Sequence, residues 1–339
     1  MSAELIQIAE SHEFLWNSAI ATQEGRLFAS MPGWLGATPG VVEVFADGSF
    51  KPWPGNEWNE WQEGKDPTKS FVDVNSIIPD GEGSLWVLDA AAPYFSTAIE
   101  GAVKVVELDI ATGATKRVII FDKKDAHSGT RLAHMRFHGD HAFMAESKEG
   151  SFYVIDLRDN SYRRILVGHP LMRCLPDDVP TMEGRKIYLQ NGKPMYIHND
   201  LLEFGKNPNT IYFMCLFGSK IFEVDVEAFK NPTLSDDDIA AQVKVAIELG
   251  PITAGITRDP EGNLYITDAE ANGVARLHTD GTVEPIVSSP DIVWPISPSI
   301  GPDGYMYFTA SQLNRVPMFS GGEDLVVRPW KMFKVKVRG

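Results

Sequence analysis

Short apolar runs, some alternating with polar positions and some apolar throughout, recur along the whole chain between clusters of Gly, Pro, Asn and Asp. That period and that punctuation predict β-strands joined by tight turns. One turn-to-strand unit repeats, in which a turn and a Gly or Asn lead into an apolar-aromatic pair: Gln23–Phe28, Asp80–Trp86, Asp259–Tyr265 and Gly301–Tyr307, with degenerate copies at Gly139–Phe143 and Lys206–Tyr212. The aromatic positions 28, 86, 143, 212, 265 and 307 are 58, 57, 69, 53 and 42 residues apart, and 339 residues divide into six units of about 56. The fifth unit resolves into four short runs, starting at Ala254, Leu264, Val274 and Val283. Six such units predict an all-β fold: a six-bladed β-propeller with four antiparallel strands per blade, forming a single domain over residues 1–339.

Three departures from the repeat refine this. The wide interval between 143 and 212 holds a polar excursion at about 166–195, expected to lie over one face of the scaffold and cover a pocket. Ser235, followed by three acids, predicts one short capped surface helix. The alternating run from Trp330 to Val337 predicts a half-buried outer strand in the closing blade.

Charge narrows the partners. With 31 Lys and Arg against 46 Asp and Glu the net charge is −15, which argues against a nucleic-acid binder. No run approaches a membrane span, and the first ten residues have neither a basic nor an apolar signal region, so a cytoplasmic protein without membrane association is expected. No phosphate loop, dinucleotide fingerprint, nucleophile elbow or zincin motif occurs, so no nucleotide cofactor is expected and the partner is a small-molecule substrate or ligand. The two cysteines, Cys174 and Cys215, lack the spacing of a zinc or redox motif and are read as buried free thiols. Nothing in the sequence sets the oligomeric state.

The innermost strand of each blade opens at one mouth of the central channel, so its first residues converge on the axis. Counting eleven residues back from each repeat aromatic gives Asn17, Asn75, Ala254 and Ile296 in blades one, two, five and six. The shorter hairpin of blade three offers His134, and the longer one of blade four offers Asp200, with His198 and Asn199 beside it. A carboxylate and an imidazole in one channel can divide base and acid roles, so Asp200 and His134 are the candidate catalytic pair. Arg131 could clamp a carboxylate or enolate. Asn17, Asn75, Asn199 and His198 would orient polar groups of the substrate, and Trp16 and Trp294 flank the axis as pocket walls. The competing explanation for the Asn and Asp residues is local bonding to backbone at strand starts. Trp34, Trp53, Trp58 and Trp61 fit core packing better than a pocket wall.

The segments Trp53–Trp61, Phe71–Ile77 and Gly83–Asp89, together with Trp294–Ser297 and Tyr307–Pro317 near the other end, resemble the major royal jelly protein/Yellow family, in its bacterial branch. The resemblance runs from about residue 15 to the end. It implies a six-bladed propeller and, for insect members, links to dopachrome conversion. The chain is more distantly similar to propellers of the gluconolactonase and senescence-marker type, which hydrolyse lactones with a divalent metal on the axis. That analogy implies a calcium-like ion held by Asp200, Asn17 and Asn75, three oxygens carrying one charge, which is a weak set for a hard cation. Three functions follow as expectations. An enzyme acting on a polar cyclic metabolite by lactone hydrolysis comes first. A metal-independent isomerase or tautomerase of the dopachrome-converting kind comes second, and a non-catalytic ligand-binding propeller third, for which the apolar Ala254 and Ile296 speak.

Overall fold

The computed structural model describes residues 3–127 and 129–338. Alternating β-branched and aromatic runs pair with their sequence neighbours across tight turns and build six four-stranded antiparallel sheets. Blade one comprises Ala19–Ala21, Leu27–Met31, Gly40–Val44 and Phe50–Pro52. Blade two comprises Val74–Pro79, Ser84–Asp89, Lys104–Asp109 and Thr115–Ile120. Blade three comprises Leu132–His138, His141–Glu146, Ser151–Asp156 and Tyr162–Ile165. Blade four comprises Asn199–Phe204, Thr210–Cys215, Lys220–Asp225 and Lys244–Glu248. Blade five comprises Ile256–Arg258, Leu264–Asp268, Gly273–Leu277 and Val283–Ser288.

Blade six closes the ring with strands from both ends of the chain. Pro295–Ile300, Tyr305–Ala310 and Trp330–Lys336 are completed on the outside by Leu5–Ser11. The run at Trp330 is therefore the third strand of its blade and not the outer one. Its alternation is real, but the apolar N-terminal run pairs antiparallel along its free edge, from Leu5 with Val335 to Ser11 with Trp330.

The innermost strands touch in ring order, blade one through blade six and back to blade one. Each repeat aromatic lies in the second strand of its blade. There the side chains fill the wedges between neighbouring sheets. Phe28, Trp53, Trp58, Phe71 and Val87 pack between blades one and two, and Phe143, Phe152, Phe213 and Phe229 between three and four. Such aromatic clusters bury large areas and hold the sheets face to face.

The expected helix is present as Asp236–Ala240, with a reciprocal capping box between Ser235 and Asp238. A second short helix, Val226–Lys230, has Asp225 as its N-cap. Among the described residues no helix is long and apolar enough to cross a membrane.

The excursion after Ile165 carries a short 3-10 turn, Pro170–Met172, and a two-strand hairpin, Thr181–Met182 with Arg185–Lys186. It reaches over the channel mouth to the loop that follows the second strand of blade six. The Glu183 carboxylate accepts from Asn314 Nδ2 at 2.7 Å and from Arg315 Nε at 3.0 Å. Arg185 donates to Phe319 O at 2.9 Å, and the Gln190 N–H donates to Met318 O at 3.0 Å. Blades three and six lie opposite each other in a six-membered ring, so this segment is a strap across the axis.

Candidate functional site

Under the strap lies a cavity of about 570 Å³. Its wall contains all six counted axial positions: Asn17, Asn75, His134, Asp200, Ala254 and Ile296. Arg131 and Trp294 line it too, whereas Trp16, His198 and Asn199 do not belong to its lining. Trp16 is fully buried against Phe50, and its indole N–H donates to Trp330 O at 3.2 Å. Asn199 donates to Ser151 O at 2.7 Å, and His198 turns toward Cys174.

Irregular pairing aims several of these side chains. The ladder between first and second strands skips a residue or more at Asn75 in blade two, at Ala133 and His134 in blade three, at Asp200 in blade four and at Ser297 and Pro298 in blade six. A bulge breaks the strict in-out alternation and bends the strand, which turns a side chain toward the axis that regular pairing would place elsewhere. Ser297 and Trp294 also adopt left-handed backbone, with φ of 48° and 49°. So does Phe95, at 53°. Residues other than glycine rarely occupy that region, and these three border one cavity.

One wall is aromatic. Trp34 stacks on Phe95 at 5.3 Å, Phe95 meets Phe319 edge-on at 6.2 Å, and Phe319 lies 5.7 Å from Trp294. Trp34 thus belongs to the pocket and not only to the core. The opposite wall carries Asp200, Arg131, His134 and Ser147. Asn17 Oδ1, His134 Nδ1 and the indole nitrogens of Trp34 and Trp294 are buried without a hydrogen-bond partner among the described residues. Groups of that kind are costly unless something completes them.

The electrostatics follow from enclosure. Burial pushes the Asp200 carboxyl up to about 7; Ser147 and Arg131 pull it down, Cys174 and Glu146 push it further up. His134 falls to about 3 because protein surrounds it and the Arg136 cation opposes protonation. The ring nevertheless keeps some accessible surface, since it borders this cavity and a second one of about 380 Å³ at the other mouth. At neutral pH it is a neutral imidazole able to donate or accept, not an imidazolium.

Asp73, which the strand count does not single out, supports this wall. It is fully buried, with Oδ1 accepting from the Gly33 N–H at 3.0 Å and Oδ2 3.6 Å from Arg131. A Cβ at position 33 would lie 2.9 Å from Val72 O, so glycine is needed for this approach. Burial raises the Asp73 carboxyl to about 7 against the opposing pull of Arg131. Its loop is fixed from below by Asp89, which accepts from the N–H groups of Val72, Asp73 and Ala91 at 2.8 to 2.9 Å and from Lys104 Nζ at 2.6 Å. Lys104 and Asp89 are wholly buried. In the sequence both acids lie within segments that carry the family resemblance, Phe71–Ile77 and Gly83–Asp89, where nothing marks their distant charge partners Arg131 and Lys104.

Asn17 and Asn75 are tied to neighbouring blades. Asn17 Nδ2 donates to Asn75 O, and Asn75 Nδ2 donates to Leu132 O at 2.7 Å. These bonds staple blade one to two and two to three. Both bonds engage Nδ2 alone, and Asn17 Oδ1 has no partner among the described residues; Asp200 is the single carboxylate on the lining, with the apolar Ala254 and Ile296 at the corresponding positions of blades five and six. A hard dication requires several oxygens with charge among them, and this set does not fit one.

The chain is a closed six-bladed propeller with a strapped, half-aromatic cavity at one mouth. The sequence profile of the major royal jelly protein family matches residues 73–316, and the chain belongs to that family. No curated protein sequence matches it. Among solved structures, it is similar to a gluconolactonase from Xanthomonas campestris, at 12% identity over 99% of this chain and 90% of that one, with a TM-score of 0.57. It is also similar to a luciferin-regenerating enzyme, at 13% identity over 99% and 96%, TM-score 0.61. Virginiamycin B lyase from Staphylococcus aureus aligns at 12% identity over 99% of both chains, TM-score 0.54. At these identities the likeness is one of fold.

Proposed function

We propose that the protein is a small-molecule enzyme that moves a proton on a flat or ring-shaped polar metabolite held in the strapped cavity, without a metal. The observation that carries this reading is the pairing of an aromatic wall with Asp200, Arg131 and His134 on one enclosed pocket. A ring stacked along Trp34, Phe95, Phe319 and Trp294 would present its edge to the polar wall. Asp200 then takes a proton from carbon or oxygen. Arg131 binds the oxyanion that develops, neutral His134 donates a hydrogen bond to it, and Asp200 returns the proton at a neighbouring atom. That is isomerisation or tautomerisation. Asp73 is a positioning residue, holding Arg131 from behind.

Lactone hydrolysis is the second reading, favoured by the shared fold with a gluconolactonase and needing only a water in place of the substrate's own proton. Asp200 would activate that water, and Arg131 and His134 would bind the carbonyl oxygen. The test is a panel of cyclic keto-acids, enolisable ring ketones and lactones in heavy water, followed by proton NMR. Deuterium entering carbon positions supports tautomerisation, and ring opening supports hydrolysis. Asp200→Asn should lower either rate at least a hundredfold while changing affinity little. Tight binding of a panel member with neither exchange nor ring opening would leave a binding propeller and overturn the enzymatic reading.

A further inference from the structure

Outside the cavity, three side chains with metal-ligating chemistry meet that are far apart in sequence. Cys174 comes from the strap, His198 from the residue just before the inner strand of blade four, and Cys215 from the end of that blade's second strand. One ligand atom from each lies within 4.8 Å of the other two. It is the one cluster of three such residues among the described residues. We propose that Cys174, His198 and Cys215 form a binding site for a borderline or soft transition-metal ion, of which zinc is the probe of choice, and that the ion pins the strap to blade four.

Several features suit that role. Two thiolates and one neutral imidazole balance a divalent ion, and ligand atoms around a tetrahedral zinc are separated by roughly 3.5 to 4 Å, within the observed spread. The fourth position would be filled by water or an exogenous ligand. The frame is already rigid. Asp178, itself 3% exposed, accepts from the Leu175 N–H at 2.7 Å and from the Ser219 N–H at 2.9 Å, tying strap to blade on one side of the cluster. The His198 N–H donates to Ser147 O at 2.8 Å, and the Cys174 N–H donates to His198 Nδ1 at 3.2 Å, which holds the ring beside the thiol. Cys215 borders a surface depression of about 290 Å³, and Cys174 and His198 are partly exposed, so an ion has a route in. In the metal-free protein each thiol rests on a carbonyl, Cys174 on Ile197 O at 3.3 Å and Cys215 on Met172 O at 3.6 Å. Loading replaces those weak contacts and displaces the protons that the two sulfurs carry.

The experiment uses the full chain, purified under reducing conditions, stripped with a chelator and titrated with cobalt(II) and then zinc. One equivalent of cobalt should give the near-ultraviolet sulfur-to-metal charge-transfer band, and one equivalent of zinc should bleach it. Cys174→Ser and Cys215→Ser should each lose the band and bind zinc at least tenfold more weakly, with unchanged far-ultraviolet circular dichroism. Tyr188→Ala, on the strap but outside the cluster, should bind as the parent does. The proposal is overturned if the reduced chain binds no stoichiometric metal, if the serine variants bind as the parent does, or if thiol titration of protein purified without reductant finds both cysteines oxidised to a disulfide.

Discussion

The Arg131 guanidinium lies 3.6 Å from Asp73 Oδ2, an oxygen with no hydrogen-bond partner among the described residues, at the back of the cavity wall. Asp73 has its folded value raised from the ordinary 3.8 to about 7, so its favourable contribution is complete below about pH 4 and is lost as pH rises through 7. Arg131→Met removes the cation that opposes this. The variant should lose roughly 2–3 kcal/mol at pH 8 and clearly less at pH 5, as read by urea unfolding. Adding Asp73→Asn should restore most of the loss at pH 8. A loss that is equal at both pH values would show that the two side chains are not coupled.

His134 acts with the opposite sign. Its value is depressed from 6.5 to about 3, so the stability it contributes is present above about pH 6.5 and drains away as pH falls toward 3. At about 1.4 kcal/mol per pH unit, at most roughly 2–3 kcal/mol is at stake between pH 6.5 and 4.5. Asp73 and Asp200 push the other way over the same interval, so the informative quantity is the difference between parent and His134→Gln. The variant's Tm should fall less steeply on acidification, and parallel curves would remove His134 from the account.

Lys104 and Asp89 form a wholly buried pair at 2.6 Å that anchors the loop carrying Asp73. Lys104→Met strands a carboxylate that still accepts three backbone N–H bonds. The cost should be about 3–5 kcal/mol in chemical unfolding. Lys104→Met combined with Asp89→Asn should recover part of it. A loss below about 1 kcal/mol in the single variant would contradict the anchoring role.

The strap is held at its far end by Glu183 with Asn314 and Arg315. Glu183→Ala and Arg315→Ala should each speed dissociation of a cavity ligand several-fold in stopped flow, with smaller changes in association. Because both break the same contact, the double variant should be no faster than the quicker single one. Additive effects would place the two residues in separate roles.

The reach of the sequence can be judged from single hairpins. In blades one, two, five and six the inner-strand partner of the repeat aromatic lies eight residues earlier: Ile20 with Phe28, Ile78 with Trp86, Thr257 with Tyr265 and Ser299 with Tyr307. A constant register makes a fixed count back to the axis meaningful. In blade four the offset is nine, Glu203 with Tyr212, which is why the count there had to shift to reach Asp200. What could not be counted depends on through-space meetings. Leu5–Ser11 pairs with a strand more than 300 residues away, Phe319 and Phe95 reach the cavity on irregular loops, and the three segments carrying Cys174, His198 and Cys215 converge only because the strap folds back on blade four. His198 and Asn199 show the reverse failure. They neighbour Asp200 in the chain, but alternation and the bulge send their side chains elsewhere.

Pairing the first described strand with the last has a consequence for biosynthesis. Five blades are sequence-local and can form in order as the chain emerges, while Leu5–Ser11 must wait, unpaired, until Trp330–Lys336 has left the ribosome. Until then blade six lacks its outer strand, and the third strand's partner edge is still to come. The ring is thus sealed only when its two ends meet, and a ligand that needs the complete cavity recognises the closed ring and not its separate blades.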